Sequence, residues 1–188
     1  MRLTLASTSP RRIQLIKSLP GLTVDVVAPL FDERTRLTEP VSVARALSSC
    51  KAQDVYDRQK TGVVLGADTV VTIDGLLLGK PKDAADAVCM LTRLSGRTHR
   101  VITGVTLIGA GKRIVGHAVT DVTFRPLDQD FIAAYVGTKK PLDKAGAYGL
   151  QDDEIRAIIE KTDGEADNVI GLPVALVRRM LEEHFSWR

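Results

Sequence analysis

Residues 62–81, GVVLGADTVVTIDGLLLGKP, constrain the fold of this chain more than any other stretch. The pattern predicts a buried strand that continues through Thr69 to Ile73, a two-residue turn at Asp74-Gly75 and a short return strand. A second hairpin is predicted between Arg100 and Phe124, turning through GAGKR. Two-residue hairpins join antiparallel strands, so a purely parallel sheet is excluded. We therefore expect a mixed sheet.

Helical patterns alternate with these hairpins, which is typical of an α/β protein. Ser9 and Pro10 form a favourable N-cap and first residue for a helix that we expect to end at Gly21. An apolar fraction of 44% over 188 residues is enough for one well-packed core, and no long linker divides the chain, so we expect a single domain over residues 1–188. Strands are also predicted at 2–6, 22–28 and 155–161, further helices at about 41–57, 83–96, 128–136 and from 173 onward, and a loop at 162–168.

Composition excludes several classes of protein. The net charge is only +3, the basic residues are dispersed and 4% of residues are aromatic, which argues against a nucleic-acid-binding module. Cys50 and Cys89 show neither a CxxC motif nor a histidine at ligand spacing, so neither a disulfide framework nor a structural zinc site is expected. No apolar run approaches the length of about 20 residues that spans a bilayer. We expect a cytoplasmic protein without a membrane partner.

The first candidate site is the turn Ser7-Thr8-Ser9-Pro10-Arg11-Arg12. The N-terminal end of a helix carries partial positive charge, so adjacent arginines there need a negative partner. Backbone N–H groups, hydroxyl groups and two guanidinium groups in one small volume are typical of a phosphate site. The alternative is a capped helix whose arginines pair with surface carboxylates.

Two charged residues interrupt apolar patterns. Lys51 shares a helical face with Ala44 and Val55, so its ammonium group either reaches solvent along the surface or meets a negative charge. Asp68 lies within an apolar strand, where a carboxylate needs a hydrogen bond, an ion pair or a metal ion. Structural pairing is the usual explanation for such an aspartate, and a functional role is the alternative.

Three further segments carry polar residues that could face a ligand. Lys80 lies in the tight turn after the first hairpin, and Glu33 lies in a polar connection where surface charge is the alternative reading. Residues 143–151, DKAGAYGLQ, combine small residues with Lys144 and the amide of Gln151, although a glycine-rich loop packed on the core would look the same. Cations, carboxylates and turns together suit a polyphosphate ester bound with a divalent metal ion.

Seven motifs resemble, in order and over nearly the whole chain, those of the Maf family of nucleoside triphosphate pyrophosphatases. They read LASTSPRRIQLI, GADTVV, LGKPKD, LSGRTH, TGV, DKAGAYGLQ and NVIGLP. The resemblance implies a three-layer α/β/α fold of the kind found in inosine triphosphate pyrophosphatases, with a cleft between two lobes. It also implies a homodimer and hydrolysis of a nucleoside triphosphate to the monophosphate and pyrophosphate, dependent on a divalent metal ion such as Mg²⁺ or Mn²⁺.

The resemblance also assigns roles to individual residues. Glu33 and Asp68 would handle the metal ion and the water, with Asp68 as general base or metal ligand, and Lys51 and Lys80 would stabilise phosphate charge. Substrate-binding roles fall to the remaining candidates, which are Ser7, Arg11, Arg12, Thr69, Lys144 and Gln151.

Base preference follows from the subfamily. SPRR, GADT and DKAGAYGLQ resemble the members that prefer dTTP and UTP, so Arg12, Thr69 and Gln151 indicate thymine or uracil. The Gln151 amide offers a donor beside an acceptor, which matches the N3–H and O4 edge of those bases. The family usually continues with glycines after this glutamine, whereas here Asp152, Asp153 and Glu154 follow. We expect this acidic stretch to affect the path of the loop or to repel phosphate.

The leading hypothesis is a metal-dependent dTTP/UTP pyrophosphatase. A non-hydrolysing, nucleotide-binding regulator of septum formation is the second hypothesis, because Maf proteins are also associated with arrest of septum formation. A nucleic-acid-binding module is the third and is disfavoured by the dispersed cations.

Overall fold

The computed structural model describes residues 1–31 and 35–187. In this part of the chain, seven strands form one mixed sheet in the order β2-β1-β3-β5-β6-β7, and β4 pairs with β3. β1 runs parallel to β2 and β3, whereas the two predicted hairpins make the β3–β4 and β5–β6 pairs antiparallel. The expectation of a mixed α/β sheet is confirmed. The strands are β1 (Arg2–Leu5), β2 (Thr23–Val26), β3 (Val63–Ile73), β4 (Leu76–Leu78), β5 (Thr98–Gly109), β6 (Lys112–Phe124) and β7 (Ile159–Asp163).

Helices cover both faces of the sheet, which gives the expected three layers. They are α1 (Pro10–Ile16), α2 (Pro40–Gln59), α3 (Ala84–Leu94), α4 (Gln129–Gly137), α5 (Asp153–Ile158), α6 (Ala166–Ile170) and α7 (Val174–His184). α2 lies close against β3 and β5 because Gly66 and Gly104 carry no side chain. A Cβ atom at either glycine would overlap the backbone of α2. None of the helices described here is long and apolar enough to cross a membrane.

Two large apolar cores lie along the long strands, beside a smaller apolar cluster under α2. One joins Leu3 and Leu65 to residues of α1 and α7 such as Ile16 and Val177. The other joins the far ends of β3, β5 and β6 to α3, α4 and α5. β3 contributes to both cores because residues 65 and 67 belong to the first and residues 71 and 73 to the second.

The edge of β3 is left open between these two cores. On that side β3 pairs with β1 as far as Leu65 and with β4 only from Val71 onward. On its other side β3 pairs continuously with β5 from Val64 to Thr72. Within the described residues, positions 66–70 therefore have strand neighbours on one side only, and this opening is where the polar residues of β3 lie.

Some predicted elements were wrong. Residues 155–161 do not form one strand, because α5 occupies residues 153–158 and β7 begins only at Ile159. The acidic residues Asp153 and Glu154 lie in the first turn of α5, where negative charge is favourable. The predicted loop at 162–168 likewise contains the end of β7 and the start of α6.

The first helix also differs from its prediction. α1 ends at Ile16 rather than near Gly21, because Leu19 precedes Pro20 and a residue before proline is disfavoured in helical conformation. Ser9 occupies the N-cap position without a capping side-chain hydrogen bond. Its backbone N–H instead donates to Ser7 Oγ at 3.2 Å.

Candidate active site

A cleft of about 760 Å³ lies at the open edge of β3, between the two cores. This volume is within the usual range of small-molecule sites, about 300–1,000 Å³. The cleft is lined by the β1–α1 turn, the inner face of α2, the middle of β3, the turn after β4 and residues 143–151. Glu33 lies outside the described residues. The other nine predicted site residues all line this cleft, and they are Ser7, Arg11, Arg12, Lys51, Asp68, Thr69, Lys80, Lys144 and Gln151.

Lys51 and Asp68 form a buried ion pair. Lys51 Nζ lies 2.6 Å from Asp68 Oδ1, and the two side chains are 7% and 9% exposed. The ammonium group of Lys51 therefore meets a negative charge, as one of the two sequence alternatives required. The pair is positioned by the close approach of α2 to β3 at Gly66, two residues before Asp68. A carboxylate held in this way has a fixed orientation within a cleft that several cations also line.

Arg12 is held on the opposite face of β3 by a chain of hydrogen bonds. Its Nε donates to the Gly171 carbonyl oxygen at 2.8 Å and its Nη2 donates to Thr69 Oγ1 at 3.1 Å. Thr69 Oγ1 lies 2.9 Å from Thr103 Oγ1, and Thr103 donates to the Asn168 carbonyl oxygen at 3.0 Å. Since a hydroxyl group has one proton, Thr69 is the donor to Thr103. Thr69 thus orients the guanidinium group of Arg12.

Arg11 reaches across the mouth of the cleft. Its Nη1 donates to Asp143 Oδ2 at 2.9 Å, and Lys144 Nζ lies 2.9 Å from Asp143 Oδ1. Burial raises the pKa of Asp143, but hydrogen bonds from Lys144 and Arg11 outweigh it and leave the pKa below its ordinary value. The second sequence alternative, in which the arginines pair with surface carboxylates, therefore holds for Arg11.

Two further predicted residues lie at the ends of the cleft. Ser7 is buried at the end of β1, where its backbone N–H donates to the Leu5 carbonyl oxygen at 3.0 Å. Lys80 is exposed in the turn after β4. This turn is joined to residues 143–151, because the Gly146 N–H donates to the Gly79 carbonyl oxygen at 3.0 Å.

The side chains of Gln151 and Lys144 both pack closely against Gly149. A Cβ atom at Gly149 would overlap Gln151 Nε2 and would lie 2.7 Å from Lys144 Cε, so a larger residue would require both side chains to shift. Gln151 Nε2 lies 3.4 Å from Asp152 Oδ1. Its Oε1 is closed to solvent and has no hydrogen-bond partner in the described part of the chain.

Charge pairs account for the acidic stretch after Gln151. Asp152 accepts a hydrogen bond of 2.6 Å from Tyr135 Oη and lies 3.7 Å from Lys144 Nζ. Glu154 pairs with Lys140 at 2.8 Å. The carboxylates are thus engaged by neighbouring cations and a phenol, which limits the expected repulsion of phosphate.

Several residues that support the site were not identified from the sequence. Thr103 and Asn168 are fully buried polar residues behind Thr69, and a threonine within an apolar strand was the available signal. His99 is buried, and its Nε2 lies 2.7 Å from Tyr148 Oη. Burial lowers the pKa of His99 to about 4, although Asp121 opposes the change, so the imidazole is neutral.

Of the two carboxylates predicted to hold a divalent metal ion, Glu33 and Asp68, only Asp68 lies among the described residues that line the cleft. Among residues 1–31 and 35–187, no group of three or more His, Cys, Asp and Glu side chains is arranged to hold a metal ion. Asp68 supplies one carboxylate within the cleft. Magnesium is commonly held by one or two carboxylates together with substrate phosphates, so the donor chemistry of the cleft is compatible with that ion.

Comparisons with known proteins agree with this architecture. The chain is 43% identical over 183 residues to a dTTP/UTP pyrophosphatase of Symbiobacterium thermophilum, covering 97% of this chain and 93% of that protein. It is 45% identical over 184 residues to a dTTP/UTP pyrophosphatase of Thermococcus gammatolerans, covering 98% and 97%. The structure of the Staphylococcus aureus Ham1 protein shares the fold, with a TM-score of 0.53 and 18% identity over 97% of this chain and 99% of that one.

The family comparison is equally extensive. Residues 2–184 match the family described as Maf-like protein, which is nearly the whole sequence. The expected resemblance is therefore confirmed, and the chain belongs to the Maf family.

Proposed function

We propose that this protein hydrolyses nucleoside triphosphates, with dTTP and UTP as preferred substrates, to the monophosphate and pyrophosphate. The relatives described above carry the name dTTP/UTP pyrophosphatase and align along almost their whole length. The site residues are proposed from the position of each side chain in the cleft.

The observation that carries the proposal is the buried Lys51–Asp68 pair in a cleft lined with cations. A general base must keep its orientation, and Lys51 holds the Asp68 carboxylate at 2.6 Å. Four further cationic side chains face the same cleft, and they are Arg11, Arg12, Lys80 and Lys144. A buried, oriented carboxylate beside several cations suits water activation next to a polyphosphate.

In the proposed reaction, Asp68 accepts a proton from a water molecule that attacks a phosphorus atom of the substrate. The anhydride bond between the α- and β-phosphates breaks, and pyrophosphate leaves. Lys51, Lys80 and the two arginines neutralise the negative charge that develops on the phosphate oxygens. Ser7 and Lys144 bind the substrate from the two sides of the cleft.

We propose that Asp68, together with Glu33, holds a divalent ion such as Mg²⁺ or Mn²⁺. When bound, such an ion would polarise phosphate oxygens and lower the barrier to displacement. Carboxylate oxygen is the ligand class that Mg²⁺ prefers, and Asp68 supplies it inside the cleft.

We propose that Gln151 recognises the base. Arg12 and Thr69 form the adjoining surface of the cleft. Gln151 lines the cleft and is only partly exposed. Because Thr69 uses its proton toward Thr103, its contribution is the orientation of Arg12.

The proposal also covers domain organisation, oligomeric state and location in the cell. We propose a single domain over residues 1–188, a homodimer on family resemblance alone, and a cytoplasmic location. The two cysteines, Cys50 and Cys89, are exposed and unbridged, as in proteins of reducing compartments.

The function is tested by incubating the purified protein with dTTP, UTP, dCTP, CTP, ATP and GTP and with Mg²⁺ or Mn²⁺. The products are separated so that pyrophosphate is distinguished from orthophosphate. We expect monophosphate and pyrophosphate, formed fastest from dTTP and UTP and not formed by an Asp68→Asn preparation purified in parallel. Release of orthophosphate would contradict the proposal, and tight binding without turnover would favour the regulator of septum formation.

A further inference from the structure

The acidic residue that follows Gln151 contacts three side chains of this region. Asp152 Oδ2 accepts the hydrogen bond from Tyr135 and faces Lys144, whereas Asp152 Oδ1 faces Gln151 Nε2 at 3.4 Å. The Asp152 and Lys144 side chains are 10% and 9% exposed, so their contact is shielded from solvent. Asp152 Oδ2 is thus held by the Tyr135 hydroxyl group and faces the charge of Lys144, while Oδ1 faces Gln151.

This contact determines which way the Gln151 amide points. A carboxylate oxygen accepts hydrogen bonds, so the amide group turns its NH₂ toward Asp152. The amide oxygen, Oε1, is then the atom left without a partner, and it is closed to solvent. Burying an acceptor without a donor is unfavourable, so a ligand N–H that reaches Oε1 while Nε2 stays on Asp152 would be stabilising.

We propose that Asp152 is a specificity-determining positioning residue that commits Gln151 to act as a hydrogen-bond acceptor toward the base. This inference rests on the proposed function, in which Gln151 meets the base. Uracil and thymine carry a donor at N3, which pairs with an acceptor. Cytosine carries an unprotonated N3, which faces the Gln151 oxygen without a proton between them. Asp152 therefore selects for uracil and thymine without contacting them.

Tyr135 holds the Asp152 carboxylate in place through its hydroxyl group. It is almost completely buried, and burial together with its hydrogen bond to Asp152 raises the pKa of the phenol well above its ordinary value. The phenol therefore stays protonated and remains a donor to Asp152. Together with Lys144, it requires an oxygen atom at the Oδ2 position of residue 152.

The informative variant is Asp152→Asn. Tyr135 and Lys144 hold the asparagine oxygen at the Oδ2 position, so the new NH₂ group faces Gln151. Gln151 then turns its oxygen toward Asn at residue 152 and presents its NH₂ to the cleft. A donor in that place pairs with the unprotonated N3 of cytosine, so the preference for uracil over cytosine is expected to be lost or reversed.

The test measures binding, so that it does not depend on turnover. Dissociation constants are determined for the α,β-methylene analogues of UTP and CTP, whose bridging carbon replaces the oxygen at the cleaved bond. We expect the wild-type protein to prefer the UTP analogue, and Asp152→Asn to lower the ratio by about tenfold. Any change in phosphate affinity caused by the lost charge near Lys144 affects both analogues and cancels in the ratio.

Two control variants separate this role from general effects. Asp153→Asn removes the same charge from the neighbouring residue, whose side chain is 94% exposed, and is expected to keep the wild-type ratio. Tyr135→Phe leaves the carboxylate in place and is expected to keep the ratio as well. A double variant, Tyr135→Phe with Asp152→Asn, frees the asparagine to adopt either orientation and is expected to give an intermediate ratio.

The proposal is overturned if the wild-type protein shows no preference between the analogues, if Asp152→Asn keeps the wild-type ratio, or if Asp153→Asn loses it equally. If Asp152→Asn does not fold, the wild-type protein still provides a test with an N3-methylated UTP analogue. Loss of binding by about tenfold supports an acceptor at N3, and unchanged binding contradicts it. A uracil preference in binding without any turnover would overturn the proposed function and leave this inference standing.

Discussion

The two sides of the cleft are built differently. One side, here called the helix wall, consists of α2 and residues 64–71 of β3 and carries Lys51 and Asp68. The other, the loop wall, consists of residues 139–152 and carries Asp143, Lys144 and Gln151. The ion pair of the helix wall is less than a tenth exposed, whereas the Asp143 side chain that joins Arg11 to Lys144 is 62% exposed. Backbone contact at Gly66 fixes the first wall, and single side-chain contacts fix much of the second.

This difference indicates a division of roles. Proton transfer requires atoms held within a fraction of an ångström, which a helix packed on a sheet provides. Nucleotide binding requires cations that can exchange an internal carboxylate for a phosphate, which an exposed ion pair allows at little cost. We therefore expect changes in the helix wall to act on the rate of hydrolysis and on stability, and changes in the loop wall to act on affinity and base selection.

The largest expected effect comes from Asp68→Asn. Loss of a general base lowers kcat by about 10³-fold. The change also removes the negative charge that faces the buried Lys51 ammonium group, which costs about 3–5 kcal/mol of folding free energy. Steady-state kinetics on UTP, combined with urea unfolding, measure both quantities.

Asp25→Asn is a suitable control for this variant, because it removes a carboxylate from an exposed pair with Arg2. It is expected to leave kcat within about twofold, in line with the small contribution of surface ion pairs. Full activity in Asp68→Asn would remove Asp68 from the reaction.

Gly66→Ala tests the contact that positions the helix wall. The added methyl group would overlap the backbone of Ser48 and Ala52 in α2, so the helix must shift. We expect a loss of about 1–3 kcal/mol in unfolding free energy and a lower kcat, because Lys51 moves with the helix.

Gly137→Ala is the matched substitution, since a Cβ atom there meets nothing within 4 Å. It is expected to leave both stability and kcat close to the wild-type values. Equal effects of the two glycine variants would show that helix contact at Gly66 is not what positions the pair.

His99, which contacts Tyr148 of the loop wall, makes the stability of the protein depend on pH. Its pKa is about 4 in the folded protein against an ordinary value of 6.5, so the unfolded chain binds more protons between these values. The stabilisation from keeping His99 neutral is fully present above pH 6.5 and is lost as the pH falls toward 4. At pH 5 the free energy of unfolding is lower by roughly 2 kcal/mol. Urea unfolding of wild type and His99→Gln at pH 7 and pH 5 measures the difference.

His99→Gln places an amide near the position of Nε2 and keeps a partner for Tyr148, so folding at pH 7 is preserved. The variant is expected to lose less stability on acidification than the wild type. An identical fall in both proteins would assign the acid sensitivity to other groups.

The smallest effect is expected from Asp143→Asn in the loop wall. Removing this carboxylate exposes the charge of Arg11 and Lys144 to the triphosphate, so KM should fall by about threefold at low salt while kcat stays nearly constant. The effect should shrink at 0.5 M salt, about the regime in which exposed charges are screened.

Asp163→Asn, in an exposed pair with Lys161 outside the cleft, is the control for the change in net charge. A large fall in kcat for Asp143→Asn, with KM unchanged, would contradict the division between the walls.

How far the sequence predicted this structure depends on the range of each signal. The two hairpins and the helical face that Lys51 shares with Ala44 and Val55 rest on local turn and periodicity patterns, and all are present in the structure. The strand predicted at 155–161 was wrong because the acidic residues that favour a helix start at α5 outweigh the β-branched residues that follow. The early end of α1 likewise depended on Pro20.

The site shows the same limit. Lys51 and Asp68 were each singled out as residues that need a partner, but only the fold shows that they are partners of each other. The links from Thr69 to Asn168 and from Asp152 to Tyr135 depend on tertiary contacts that no local pattern encodes. The role of Glu33 stays a prediction, since it lies outside the described residues.

The most direct test of the division between the walls compares chemistry with binding in three proteins. Single-turnover rates on UTP and dissociation constants for α,β-methylene-UTP would be measured for wild type, Asp68→Asn and Asp143→Asn. The account predicts that Asp68→Asn lowers the rate by about 10³-fold with binding largely kept, and that Asp143→Asn changes binding with the rate kept. The reverse assignment, or parallel losses of rate and binding in both variants, would contradict it.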